Sequence, residues 1–225
     1  MLNPLPLVII YEICFLLDIR SVFNFRHVNR RAQQIVRVVR GYEAMITHAI
    51  GSLRVILKTN IASWLTLSDL FKMLCTRDCY LCGSFVGFIF LPTFMRCCVS
   101  CIQESSLPSV LPLSIVNNPP GKPNLGWLYL LVPSVKSLPG IYSMDKIVRK
   151  RRTQMMSTEF VRNLFLRDGD WRTRVTQTNE TALLHYMVTT SLPYLDIESG
   201  GIQKDMVQCL SNCSGKGFKV IKYSI

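Results

Sequence analysis

Six of the nine cysteines, Cys75, Cys79, Cys82, Cys97, Cys98 and Cys101, crowd into one short stretch of the chain. Disulfide frameworks spread their cysteines along a sequence, whereas metal sites cluster them. Cys79 and Cys82 are separated by two residues and followed by Gly83, and Cys98 and Cys101 repeat the spacing after 15 residues, Gly83 to Cys97. Two intervening residues let a tight turn aim both thiolates at one ion, and a glycine after the second lets the backbone fold back closely. Cys79, Cys82, Cys98 and Cys101 are therefore the expected ligands of a structural Zn2+, closed by four sulfurs with no open coordination position. The spacing leaves two substitutions open: Cys97 in place of Cys98, and Cys75 in place of either outer thiolate. Free buried thiols are the plain alternative, and six in so short a stretch argue against it. Cys14 lies in an apolar helical pattern, and Cys209 with Cys213 has no second pair nearby, so none of the three is given a role.

Composition requires a core around this cluster. At 49% hydrophobic residues the chain is too apolar for disorder, and at 18% charged residues it falls below the ~25% usual for soluble domains. With a mean hydropathy of +0.26, much apolar surface needs covering, and a partner protein is one way to cover it. No membrane span is expected: Glu12 interrupts Leu5–Leu17, and Leu125–Val135 is far shorter than the ~20 residues a bilayer needs. No Lys or Arg precedes the first apolar run, so no signal peptide is expected, which points to a reducing compartment, nucleus and/or cytoplasm.

The first 60 residues read as helical. Leu5, Ile9, Ile13, Leu16 and Leu17 recur at helical spacing until Asp18, and Val22, Phe25 and Val28 suggest a second short helix. Asn29 is placed to start a third, and Gly41 to punctuate before a fourth running through Met45, Leu53 and Leu57. A further helix begins at Thr66, with Asp69 three positions on as a capping partner. Ser84–Pro92 reads as a small hairpin between the cysteine pairs, with a short helical turn after Cys101. Prolines 108, 112, 119, 120 and 123 make residues 105–125 a linker. Beyond it come a strand or buried helix at Leu128–Val132, a turn at Leu138-Pro139-Gly140 and helices at Ser157–Arg167 and Asn179–Thr190. The expected class is mainly α: residues 1–60 a helical unit, 61–105 a helix plus zinc module, and 106–225 a linker with a mainly helical C-terminal region.

The string from Leu5-Pro6 through Ile13, Leu17 and Asp18, closing on Val28-Asn29-Arg30, resembles the F-box motif. Val8 departs from it, standing where the family usually carries an acidic residue. The resemblance extends to F-box proteins of filamentous fungi with a cysteine-rich block, through Leu74–Cys79, Phe90–Thr93, Arg96-Cys97-Cys98 and Leu138–Met144, over roughly the first two thirds of the chain. It implies a three-helix module that binds the Skp-type adaptor of a cullin–RING (SCF-type) ubiquitin ligase, leaving the remainder to recruit an unknown protein substrate. Leu5, Pro6, Ile9, Ile13, Leu17, Val22, Phe25 and Val28 would then face either the module core or the adaptor.

The rival partner is nucleic acid. The net charge is +12, with six arginines between Arg20 and Arg40 and a basic run from Lys146 to Arg152. A charge run is usually a solvated face, and the second block reads equally as a nuclear-localisation signal, so this is the less favoured reading. No enzyme is expected: His27, His48 and His185 lack a nucleophile or carboxylate constellation, and neither a phosphate-cradling glycine loop nor an H-E-x-x-H motif is present.

Overall fold

In a computed structural model the described residues are 5–104, 107–114, 131–142, 147–160 and 181–203. Pro6 takes the residue before α1 (Leu7–Leu16), where its missing N–H costs nothing. Leu17 closes that helix and Asp18 starts α2 (Ile19–Phe25), its carboxylate accepting from the Ser21 N–H at 2.9 Å. Asn29 caps α3 (Arg30–Val38) in the same way, accepting from the Ala32 N–H at 2.8 Å, as its position in the sequence predicts.

Gly41 does not punctuate the chain. It lies in the first turn of α4 (Arg40–His48); the break from α3 falls at Val39, and a second at Ala49 divides the expected fourth helix into α4 and α5 (Ile50–Lys58). A Cβ on Gly41 would stand 3.1 Å from the Phe15 ring, 3.2 Å from Leu67 and 3.3 Å from Phe71. The glycine is thus a packing residue that lets α4 approach α1 and the segment carrying Leu67 and Phe71 closely. Gly41→Val is expected to destabilise the chain by about 2 kcal/mol, read as a lower urea midpoint, because overpacking outweighs any gain in helix propensity.

After a 3-10 turn (Ile61–Ser63), α6 (Leu67–Leu74) begins with the predicted capping box. Asp69 N–H donates to Thr66 Oγ1 at 3.1 Å, and Thr66 N–H donates to the Asp69 carboxylate at 3.3 Å. Strand β1 (Phe88–Phe90) pairs antiparallel with β2 (Met95–Cys97), so the expected hairpin exists but is shifted, with only its first strand inside Ser84–Pro92. Helix α7 (Val99–Gln103) follows and contains Cys101.

The described residues after 106 correct the expectation of a mainly helical C-terminal region: helices still predominate over the chain, but strands take a substantial share. Strand β3 (Val110–Pro112) lies within the expected linker and pairs with β7 (Gln154–Ser157), which pairs in turn with β4 (Ser134–Lys136). Strands β5 (Gly140–Tyr142) and β6 (Ile147–Arg149) form a second antiparallel pair. Ser157 ends β7 and a helical turn begins at Thr158, as its position in the sequence predicts, with the Ser157 hydroxyl accepting from the Glu159 N–H at 3.3 Å. Helix α8 (Thr181–Met187) stops short of Thr190, because β8 (Thr189–Ser191) crosses to β1 and extends the cysteine hairpin to three strands. Two short strands, β9 (Tyr194–Leu195) and β10 (Ile202–Gln203), complete the set. Residues 128–130, most of the stretch 157–167, Asn179, Cys209 and Cys213 lie outside the described residues.

One apolar cluster runs from Cys14 in α1 through Leu70, Phe90 and Cys101 to Leu192, so the helices, the cysteine segment and the C-terminal strands share a core. His185 is fully buried in it, with Phe90 edge-on at 5.7 Å and the backbone carbonyls of Pro108 and Ile102 near its ring. Burial pushes its pKa below the usual histidine value, against a weaker upward pull from the carbonyls of Pro108 and Ile102. Below about pH 6.5 the unfolded chain takes up a proton that folded His185 refuses, so stability falls with falling pH from there to the folded pKa. His185→Phe should flatten that part of the stability-against-pH curve measured by urea unfolding.

Candidate metal centre and the exposed face of α1

Cys79 leaves the end of α6 through a tight loop. Its N–H donates to the Ser84 carbonyl at 2.7 Å, its carbonyl accepts from the Gly83 N–H at 3.0 Å, and Asp78 bridges Phe85. Gly83 has φ +69° with nothing within 4 Å of a would-be Cβ, so the backbone turn, and not crowding, selects glycine there. Tyr80 N–H donates to the Arg96 carbonyl at 3.1 Å, which fastens this loop to β2. Cys98 is the residue before α7, and its Sγ accepts from the Cys101 N–H at 3.4 Å. Both second-pair sulfurs therefore sit at the start of one short helix.

These two turns bring the Sγ atoms of Cys79, Cys82, Cys98 and Cys101 within 4.8 Å of one another. Cys79 Sγ lies 3.8 Å from Cys101 Sγ, and Cys82 Sγ 3.5 Å from Cys98 Sγ. A tetrahedral ion with metal–sulfur bonds of ~2.3 Å sets its sulfurs ~3.8 Å apart, so the donor set fits a four-coordinate ion after small side-chain rotations. Four cysteines so placed can hold a metal ion. Of the open alternatives, Cys97 is fully buried in the apolar core and Cys75 is half-buried at the end of α6, and neither joins the four.

The four thiols are not equivalent. Cys79, Cys98 and Cys101 are buried, whereas Cys82 is exposed. Hydrogen bonds from Ser84 hold Cys82 down to about 6, while burial pushes Cys98 up to about 11 and raises Cys101. Burial likewise raises Cys97, whose neighbours Cys79 and Cys98 add to the effect.

Arg96 is the residue that sequence reasoning missed. It is 3% exposed, with its guanidinium donating to the carbonyls of Leu192 at 2.6 Å, Val86 at 3.3 Å and Pro193 at 3.4 Å. Burial lowers its pKa to about 10, partly offset by Cys97, so it stays charged at neutral pH. It clamps β2 to the start of the C-terminal segment directly beside the cysteines. The available signal was a lone charge in the run Met95-Arg96-Cys97-Cys98-Val99, where a strand otherwise buries its residues.

The residues tied to the N-terminal helices divide into two groups. Val22 is buried in the core, and Leu17 and Phe25 are partly buried against it. Leu5, Pro6, Ile9, Ile13 and Val28 are exposed, Ile13 at 46% and Val28 at 68%. Helix α1 buries only Cys14 fully, while Val8 and Leu16 stand 69% and 67% exposed beside Leu7. No helix among the described residues is long and apolar enough to cross a membrane. No family model matches the chain, and neither a curated protein nor a solved structure matches it.

Proposed function

We propose that the chain is an F-box substrate-receptor subunit of a cullin–RING ubiquitin ligase that docks its Skp-type adaptor through α1 and holds a target protein with its remainder. The observation that carries this reading is the outer side of α1, where Val8, Ile9, Ile13 and Leu16 are exposed while Cys14 anchors the opposite side. Such a face is a stripe that a partner would cover. The sequence resemblance supplies the partner's identity. The mechanism is proximity: ligase at one end, target at the other, with ubiquitin transfer performed by the partners and no catalytic group in this chain.

In the same reading the metal is Zn2+, which suits four thiolates in a closed tetrahedral site, and its role is structural. A reducing compartment, nucleus and/or cytoplasm, keeps those thiols available. Co-expression with the Skp-type adaptor of the same species, followed by gel filtration in about 0.5–1 M salt, tests the proposal. An apolar interface keeps the complex together, whereas steeply salt-sensitive retention of nucleic acid without adaptor supports the rival reading instead.

A further inference from the structure

Strands β4 to β7 form one kinked hairpin. Lys136 pairs with Gln154, and the Ser137 N–H donates to the Thr153 carbonyl at 2.8 Å while Ser137 Oγ accepts from the Thr153 N–H at 2.9 Å. Pairing resumes at Gly140 opposite Arg149. Between these rungs Leu138 and Pro139 face Lys150, Arg151 and Arg152, a bulge with one extra residue on the basic side. Arg152, although exposed, folds back along the hairpin and donates to the carbonyls of Ser137 at 3.1 Å, Lys136 at 3.5 Å and Lys58 at the end of α5. The Lys136 N–H donates to the Thr59 carbonyl at 2.8 Å, so the bulge is locked onto the α5 terminus.

This arrangement gathers Lys58, Lys136, Lys150 and Arg151 from three segments of the chain. Lys58, Lys150 and Arg151 are exposed and Lys136 is half-buried, and none of the four pairs with a carboxylate among the described residues. Lys58 complements the α5 C-terminus, but Lys136, Lys150 and Arg151 have no such use. Packing like charges together in a chain of net charge +12 is unfavourable unless an anionic partner offsets it. On the adjoining rung Ile141 and Val148 face each other across the hairpin, 52% and 58% exposed. A phosphate backbone would use the cations and ignore this apolar pair, whereas an acidic peptide bearing an apolar side chain would use both.

We propose that the bulged hairpin docks an acidic peptide segment with an apolar anchor, the anchor resting on Ile141 and Val148 and the carboxylates facing Lys136, Lys150 and Arg151. As the substrate class of a ligase receptor, this rests on the adaptor reading above. The test is fluorescence anisotropy with the full, zinc-loaded chain and three labelled probes: a 12-residue Asp/Glu-rich peptide with central Leu and Phe, the same peptide with Ser at both positions, and a 12-nucleotide oligothymidylate. The first peptide should bind at micromolar concentration, with the serine version at least about tenfold weaker. The double change Lys150→Glu with Arg151→Glu, and separately Val148→Ser, should each weaken the first peptide at least about tenfold with an unchanged melting temperature. No saturable binding of the first peptide overturns the proposal, as does equal binding of all three probes or indifference to the Val148 change, which would mark a general polyanion site. Adaptor co-purification is scored separately: peptide binding without adaptor keeps the docking surface and removes its ligase role, and adaptor binding without peptide removes the surface alone.

Discussion

Ile13→Asp is expected to weaken adaptor binding at least about 100-fold while leaving thermal stability nearly unchanged. Ile13 is 46% exposed on α1, so a carboxylate there stays solvated in the free chain and costs little stability. In a complex the same carboxylate would be buried among Ile9, Leu16 and the partner's apolar groups without a counterion, and the loss of a central interface anchor reaches ~3 kcal/mol, or about 100-fold. Val22→Asp provides the contrast. Val22 is 1% exposed, so the charge would be buried in the folded chain itself, and several kcal/mol of stability should go with it. Calorimetric titration with purified adaptor, beside melting curves of both variants, separates an interface residue from a core residue.

Cys101→Ser is expected to abolish metal binding and to cost on the order of 5 kcal/mol, much of the stability of a domain this size. The loss is large because Cys101 and Cys98 lie in the same apolar cluster as Phe90 and Leu192, so the ion would brace the shared core and not an appendage. Cys75→Ser should keep full metal content, since Cys75 stands outside the four-sulfur group. Cys97→Ser should also keep the metal, although it places a hydroxyl at a fully buried apolar position and should lower the melting temperature. Because burial raises the Cys98 and Cys101 pKa values in the metal-free chain, the ion must displace protons there, and affinity should weaken as pH falls. Metal content of each variant after gel filtration, measured across pH, checks all four outcomes.

What could be read in the sequence follows the range of the signal. The caps at Asn29 and Thr66 and the cysteine pairs are local patterns, in which a residue and its partner lie three positions apart, and each appears in the structure where its spacing places it. The spacing favoured Cys98, but excluding Cys97 needed the third dimension: β2 turns Cys97 into the core, and the next residue begins α7 with its sulfur toward Cys82. Gly41 read as a stop because a glycine that terminates a helix and one that lets two helices touch look the same in one dimension. The strands after residue 106 were hidden for a different reason. Most are three residues long, too short to establish an alternation, and β3 and β8 pair with strands tens of residues away, as Val110 does with Ser157. Arg152 illustrates the same limit. It belongs to a basic run that reads as a solvated face, yet its guanidinium is spent on three backbone carbonyls, leaving Lys150 and Arg151 to face outward.

With an ion bound, Cys79, Cys82, Cys98 and Cys101 would hold the two ends of the cysteine segment together, and X-ray absorption at the metal edge of the purified chain is the decisive measurement. The expected result is one zinc per chain with a single shell of four sulfurs at ~2.3 Å. A protein that folds without stoichiometric metal, that carries iron, or whose zinc shell includes nitrogen or oxygen would contradict it.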